Sequence, residues 1–216
     1  MAIFNTVYGG EWKWHPWSNT IAYYSFNDQW ADGYVKNMYW NLPNLSDWTQ
    51  PTYSLVSWSN YCGVSSWSSR PRKSITIDTS DYTVMYWFNV TDINQSQRFI
   101  SSFSTTREYG FLYWDKHIKC WNGGSIVDGI SSPVADRWYH WAMVFEWNTA
   151  KFYIDGNLIT TYSTDHWNSW TFVLFGASWD SNNFIWKIDD CIIENKVWTA
   201  DDITAYYNKT KSNYWL

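Results

Sequence analysis

The sequence lacks the features that mark disulfide-rich and membrane-spanning proteins. It has only three cysteines, Cys62, Cys120 and Cys191, and an odd number is a poor basis for a disulfide framework. Each lies in an apolar, strand-like run, so we expect buried free thiols. No stretch approaches about 18 consecutive apolar residues, which predicts no membrane span. The N-terminus lacks the basic and apolar regions of a classical secretory signal peptide.

An excess of positive charge is also missing. The formal net charge is −5, so the basic surface that nucleic-acid binding requires is absent and we expect no nucleic-acid partner. One small basic cluster, Arg70, Arg72 and Lys73 around Pro71, is interpreted as a solvated turn rather than a phosphate site.

Common catalytic motifs are absent as well: there is no G-x-S-x-G, no P-loop and no HExxH. The four histidines, His15, His117, His140 and His166, are scattered singly, so we interpret each as structural or exposed. Because His140 lies in a strand-like run, we expect it to be a hydrogen-bonded core residue rather than a catalyst.

Aromatic side chains, by contrast, are abundant: 20 Trp, 17 Tyr and 11 Phe make up 22% of the residues. Aromatic residues prefer strands, so many of them are expected in a sandwich core. Two packed sheets are only about 10 Å apart, which leaves too little room for all of these rings. We therefore expect some rings on outer faces or rims, where exposed aromatic patches mark ligand or partner surfaces.

The apolar pattern predicts about a dozen short strands, with turn signals every 8 to 12 residues, as in sandwiches and barrels. Both faces of the run 81–90 (DYTVMYWFNV) are apolar, which predicts a central strand with a second layer outside it or an exposed apolar face. Asn122-Gly123-Gly124 and Asp155-Gly156 predict tight hairpins. The run 137–147 is predicted as a strand that ends in a turn at 148–150.

One helix is predicted near the C-terminus. Thr199 can cap the amide of Asp202, and the acidic first turn suits the helix dipole. Ile203, Tyr206 and Tyr207 then share one face. We divide the chain into a Trp-rich N-terminal strap, residues 1–20, and one domain, residues 21–216.

Several segments carry a family pattern: DRWYHWAMV at 136–144, KFYIDGNLI at 151–159, FGA at 175–177 and IDDCII at 188–193, followed by WTADDI at 198–203. In order and spacing these segments resemble LamG-like domains of the concanavalin A-like lectin/glucanase superfamily. The resemblance implies an all-β, antiparallel β-sandwich of the jelly-roll type with one short C-terminal helix. It says little about function, because this fold hosts lectins, glycosidase modules and interaction domains.

Related glucanases carry Glu-x-Asp-x-x-Glu on one strand, since retaining hydrolysis needs two carboxylates about 5 Å apart. The nearest candidate here has Lys187 at the nucleophile position. Asp189 and Glu194 would lie on opposite faces of a regular strand. We therefore predict a noncatalytic protein.

Many similar jelly rolls hold one structural calcium ion between the first and last strands, and calcium prefers hard oxygen ligands. The resemblance implies Asp28 and Asp190 as the metal ligands, since strand alternation should turn only one of Asp189 and Asp190 outward. The alternative is that these acids cap turns or pair with Lys and Arg.

A glycan site needs a flat ring to stack on a sugar, with amides or carboxylates nearby for the hydroxyls. Tryptophans at predicted loop tips beside Asn or Asp fit this requirement, although packing is the alternative role for each. The predicted ligand-binding residues are Trp30, Trp121, Trp167, Trp179, Asp180 and Asn182.

Two functions remain open at this point. One is a noncatalytic glycan-binding or adhesion module with a glycan or cell-surface receptor as partner. The other is a structural protein whose aromatic faces form subunit interfaces in a homo-oligomer or with virion proteins. The opening segment around Trp14, Pro16 and Trp17 resembles jelly-roll domains of phage structural proteins. We therefore expect an extracellular or virion-surface location without a classical signal peptide.

Overall fold

The computed structural model describes about three fifths of the chain, and all structural statements below concern that part. The described residues are 20–24, 52–55, 61–64, 73–77, 81–94, 96–102, 107–112, 115–122, 125–163, 170–174 and 186–216.

Fourteen strands in these ranges form two antiparallel sheets. The strands are β1 Thr20–Tyr24, β2 Thr52–Leu55, β3 Tyr61–Val64, β4 Lys73–Ile77, β5 Tyr82–Val90, β6 Gln97–Ser102, β7 Arg107–Leu112, β8 His117–Asn122, β9 Ser125–Ser131, β10 Trp138–Glu146, β11 Thr149–Ile154, β12 Asn157–Ser163, β13 Trp170–Leu174 and β14 Trp186–Glu194. The first sheet has the order β12-β11-β10-β5-β14-β3-β2, with β1 also paired to β14. The second has the order β4-β13-β6-β7-β8-β9. The predicted all-β jelly-roll sandwich is confirmed.

The two hairpins predicted from turn residues are present. Asn122 pairs with Ser125, so the connection between β8 and β9 is a two-residue loop. Asp155 and Gly156 join β11 to β12 with φ values of 49° and 77°, the left-handed backbone that such turns require. Lys73, interpreted from the sequence as part of a solvated turn, instead opens β4, which pairs with β13.

Helix α1, Ala200–Thr210, begins as the sequence predicts, with Thr199 and Asp202 forming a reciprocal capping box. A short 3₁₀ turn, Lys211–Tyr214, continues from it. Within the described ranges, no helix combines the length and apolarity that crossing a bilayer requires.

Strand β5 lies in the middle of the first sheet, and both of its faces are buried, as expected for a central strand with a second layer outside it. One face packs into the core between the sheets, and the other packs under α1 and the 3₁₀ turn. Helix α1 and the 3₁₀ turn thus form a third layer outside the first sheet. Buried rings need not all fit between the two sheets, because Trp87, Trp138 and Tyr214 pack in this outer layer.

Consequently, few of the described rings reach solvent. Among the aromatic side chains that the structure describes, only Trp147 and Trp215 are exposed, each to 72% of its full surface. Cys120 and Cys191 are buried free thiols, as predicted, and burial raises the pKa of both. The side chain of Cys62 lies outside the described part.

Candidate functional site

The exposed ring of Trp147 lies at the tip of the hairpin that joins β10 to β11. Trp147 and Asn148 form the two-residue turn, and Trp147 has a left-handed backbone with φ 54°. Its backbone N–H donates to Asp81 Oδ1 at 2.8 Å, which ties the tip to the start of β5. Bulky residues rarely adopt this backbone conformation, and such strain is concentrated at functional sites. The hairpin thus presents a large flat ring to solvent on a fixed backbone.

The same hairpin also carries polar side chains. Glu146 precedes Trp147, and its Oε2 lies 2.8 Å from Lys151 Nζ. This hydrogen bond raises the pKa of Lys151, so the ammonium stays charged. Asn148, the next residue of the turn, is exposed. The tip therefore combines one apolar surface with a carboxylate, an ammonium and an amide, the mixture that small polar ligands require.

The residues predicted to bind a ligand are mostly beyond the described part of the chain. Trp121 lies in β8, opposite Glu108 of β7 and Ile126 of β9, but its side chain is not among those described. The others fall outside the described ranges, so these predictions stay predictions; they are Trp30, Trp167, Trp179, Asp180, Asn182 and the metal candidate Asp28.

Sequence reasoning missed Trp147, because the turn was predicted at 148–150 and Trp147 was assigned to the preceding strand. The structure places the turn at Trp147 and Asn148 instead, with β11 beginning at Thr149. The signal was present, since a tryptophan followed by an asparagine at a turn is the same pattern that identified the other candidates.

The acidic residues of β14 lie in a bulge. Asp189 pairs with Trp87 and Ile192 pairs with Met85, so the register shifts between them. Asp190 takes a left-handed backbone with φ 45°. The prediction that alternation turns only one of Asp189 and Asp190 outward is therefore wrong: both are buried, at 0% and 8% exposure.

The same bulge corrects a second prediction. Asp189 is opposite Trp87, and Glu194 is opposite Thr83, so the two acids share a face rather than lying on opposite faces. Their partners are four residues apart on β5, a backbone separation of about 13 Å. That separation is far beyond the spacing of the carboxyl pair in a retaining hydrolase. Glu194 Oε2 also accepts a hydrogen bond from Trp198 Nε1.

Asp189 and Asp190 are held together by tyrosine hydroxyls. The Tyr214 hydroxyl oxygen lies 3.1 Å from both Asp189 Oδ2 and Asp190 Oδ2, and the Tyr23 hydroxyl donates to Asp190 Oδ1 at 2.8 Å. Burial raises the pKa of both acids, and the neighbouring Asp190 raises that of Asp189 further. Because Tyr214 has only one proton, its hydroxyl donates to one of these two carboxyl oxygens at a time.

A calcium ion would have to displace tyrosine hydroxyls from Asp190, because calcium binds ionised oxygen ligands and each oxygen of Asp190 lies within hydrogen-bond distance of the Tyr23 or Tyr214 hydroxyl. Across the described ranges, no three His, Cys, Asp or Glu side chains are grouped for metal binding. Because Asp28 is outside these ranges, the calcium site stays a prediction.

His140 is buried in the layer under α1, as the sequence analysis expected of a core residue. Its ring packs against Trp87 at 5.1 Å and Tyr206 at 5.3 Å between centroids. The expectation that it is hydrogen-bonded is wrong, because neither ring nitrogen has a partner within the described part. Burial lowers the pKa of His140 to about 3, so it is neutral at physiological pH.

Comparison with known families supports the fold. Residues 63–204 match the family model described as the concanavalin A-like lectin/glucanases superfamily. No curated protein sequence matches the chain.

Solved structures with the same fold share little sequence with this chain. Domain 4 of AbnA, a GH43 extracellular arabinanase from Geobacillus stearothermophilus, solved in complex with arabinotriose, is 17% identical with a TM-score of 0.68. That match covers 87% of this chain and 97% of the other. The botulinum neurotoxin serotype D binding domain is 14% identical with a TM-score of 0.63, covering 88% of this chain and 52% of the other. The binding domain of botulinum neurotoxin DC, in complex with rat synaptotagmin II, is 16% identical with a TM-score of 0.59, covering 88% and 51%. The chain thus spans about half the length of these neurotoxin domains.

Proposed function

Because this chain belongs to the concanavalin A-like lectin/glucanases superfamily, we propose that it is a noncatalytic glycan-binding module and that the Trp147 hairpin is a contact site. The observation that carries the proposal is the ring of Trp147, which is 72% exposed on a backbone anchored to Asp81. A sugar presents an apolar face of C–H groups and a rim of hydroxyls. The exposed ring can stack on the C–H face, and the polar side chains of Glu146, Asn148 and Lys151 can bind the hydroxyls.

The buried acids support a noncatalytic role. A glycosidase acid and nucleophile must both contact the bond that is cleaved. Here Asp189 and Glu194 are fully buried and engaged with Tyr214 and Trp198. A substrate could reach them only if α1 and the 3₁₀ turn left the sheet.

The solved neighbours point in the same direction. One was solved in complex with arabinotriose, another is named as a receptor-binding domain, and a third was solved in complex with rat synaptotagmin II. At these levels of identity the likeness establishes the fold, so a glycan or a cell-surface receptor as partner of this chain is part of the proposal.

A matched pair of variants tests the proposal. Trp147→Ala removes the proposed contact, and Trp215→Ala removes an equally exposed tryptophan that also has a left-handed backbone. Trp215 follows Tyr214, which packs on Trp138 at the opposite end of β10 from Trp147. The wild type is first screened on a glycan array, and the best ligand is then titrated into each variant by calorimetry.

We expect Trp147→Ala to weaken binding about two- to tenfold, since ring stacking contributes roughly 0.5–1.5 kcal/mol. Trp215→Ala should bind like the wild type. Equal affinity of Trp147→Ala and the wild type, or no glycan bound on the array, would overturn the proposal.

A second candidate function is assembly into an oligomer or a virion. Among the described strands, β12 lies at the end of the first sheet, has Leu158 and Ile159 exposed to 53% and 42%, and has no charged residue. Natural edge strands usually carry charges or prolines that prevent pairing with other chains. The mass of the protein in solution separates the two functions. A stable oligomer that dissociates in the Leu158→Lys variant favours assembly, whereas a monomer favours the glycan module.

Three finer proposals accompany these functions. We propose a location outside the cell or on a virion surface, supported by the resemblance of the opening segment to phage jelly rolls. A receptor-binding role on a virion follows from the same resemblance, and failure to bind either virion proteins or host cells would contradict it. One structural calcium ion at Asp28 and Asp190 is the third proposal, and loss of stability on adding a chelator is its test.

A further inference from the structure

The hairpin tip that carries Trp147 is built directly on the core between the sheets. Tyr82, the first residue of β5, pairs with Phe145 near the end of β10, and their buried rings stack with centroids 4.4 Å apart. Asp81 immediately precedes Tyr82, and Trp147 lies just beyond Phe145 in the chain. Asp81 and Trp147 therefore meet next to this stacked pair, on a base that the core holds in place.

A hydrogen bond joins the two segments beyond the stacked rings. The backbone N–H of Trp147 donates to Asp81 Oδ1 at 2.8 Å, although the two residues are 66 positions apart in the sequence. Trp147 has φ 54°, a left-handed conformation that bulky residues rarely adopt unless their surroundings hold them there. The Asp81 carboxylate supplies such a restraint, because it holds the N–H at one end of the bond about which φ is measured.

We propose that Asp81 is a positioning residue for the glycan contact: it orders the hairpin tip so that the ring of Trp147 is presented before a sugar arrives. This inference rests on the proposed glycan-binding function and adds a residue to it. A ring that is already ordered binds without the loss of conformational freedom that a mobile ring would incur. Asp81 thus contributes to affinity through Trp147 and needs no contact with the sugar.

A double-mutant cycle tests whether Asp81 acts through the ring. Dissociation constants for the best glycan from the array are measured for the wild type, Asp81→Ala, Trp147→Ala and the double variant. We expect Asp81→Ala to weaken binding about two- to threefold in the wild type, since the ring is kept and only its order is lost. In the Trp147→Ala background the same change should have no further effect. Loss of any other contact of Asp81 would instead weaken binding in both backgrounds.

Two matched controls separate the acceptor oxygen from the negative charge. Asp81→Asn keeps an oxygen that can accept the N–H of Trp147, so it should bind the glycan like the wild type. Asp201→Ala removes an exposed acid in the first turn of α1 and should also bind like the wild type.

The hydrogen bond is also measured without a ligand. Labelling with ¹⁵N-tryptophan gives a backbone amide signal for Trp147, which is identified by its absence from Trp147→Ala. Hydrogen exchange of this amide should accelerate about tenfold in Asp81→Ala and stay near the wild-type rate in Asp81→Asn, because only the alanine removes the acceptor.

The outcomes separate this inference from the function beneath it. Asp81 is not a positioning residue if Asp81→Ala binds like the wild type, weakens binding equally in both backgrounds, or leaves the exchange of the Trp147 amide unchanged; glycan binding would still stand. If the wild type binds no glycan, the proposed function fails, and the inference fails with it even where the exchange rates show the hydrogen bond.

Discussion

The two faces of strand β5 are equally buried but differ in chemistry. The face toward the second sheet is built from apolar and aromatic side chains and packs on similar residues of β10; the set is Tyr82, Val84, Tyr86, Phe88, Trp141, Met143 and Phe145. The face toward α1 includes polar groups that are almost completely buried: Thr83, Asn89, His140, Asp189, Asp190 and Glu194.

This contrast shows what the C-terminal segment does for the sheet. Tyr214 satisfies Asp189 and Asp190, and Trp198 satisfies Glu194. Thr83 is held in the same way, since its hydroxyl donates to the carbonyl of Lys196 and accepts from the amide of Trp198. A buried polar group without a partner costs about 1–3 kcal/mol, so this face depends on specific contacts, whereas the face between the sheets depends on volume.

The strongest test of the volume-dependent face is Trp141→Ala. Trp141 is fully buried and packs on Phe152 at 4.1 Å and Tyr86 at 6.1 Å between centroids. We expect the free energy of unfolding, measured by urea denaturation, to fall by about 3–5 kcal/mol, because a large cavity opens between the sheets. The exposed Trp215→Ala should change it by less than about 0.5 kcal/mol. A small loss at Trp141 would show that this face is loosely packed.

The next test uses pH and the face under α1. Since the folded pKa of His140 is about 3 and its usual value is 6.5, its contribution is complete above pH 6.5 and is lost as the pH falls toward 3. Between pH 7 and pH 4 the wild type should lose about 3 kcal/mol more stability than His140→Phe, which cannot be protonated. Parallel loss of stability in both proteins would contradict a buried neutral histidine.

The acid pair acts in the opposite direction, and the comparison with His140→Phe separates the two effects. Because burial raises the folded pKa of Asp189 and Asp190, their contribution is complete below pH 3.8 and is lost as the pH rises through the folded values. In the His140→Phe protein, the free energy of unfolding should therefore still fall as the pH rises through the folded pKa values of the acids, since the acid pair is unchanged.

The smallest expected effect comes from one hydroxyl. Tyr214→Phe keeps the ring that stacks on Trp87 at 4.1 Å but removes the oxygen shared by Asp189 and Asp190. We expect a loss of about 1–2 kcal/mol in the free energy of unfolding. Tyr207→Phe, in the preceding helix α1 and only partly buried, should cost less than about 0.5 kcal/mol and is the matched control. Equal losses would mean that the ring rather than the hydroxyl holds the segment.

Local features of the fold could be predicted because their causes are local. The apolar residues on both faces of 81–90 identified β5 as a central strand, and the adjacent Gly156 identified the turn at Asp155. Thr199 and Asp202 are three residues apart, so the start of α1 was also visible. The antiparallel sandwich followed from many such signals together.

The tertiary structure alone decided which polar and aromatic groups are buried and which are presented. An extra residue in β14 turns both Asp189 and Asp190 toward α1, where Tyr23 and Tyr214 meet them from distant parts of the chain. The position of Trp147 likewise depends on Asp81, which immediately precedes β5 and accepts the backbone N–H of Trp147. Strand periodicity reports the backbone of one segment, whereas bulges, layers and exposure depend on which segments come together in space.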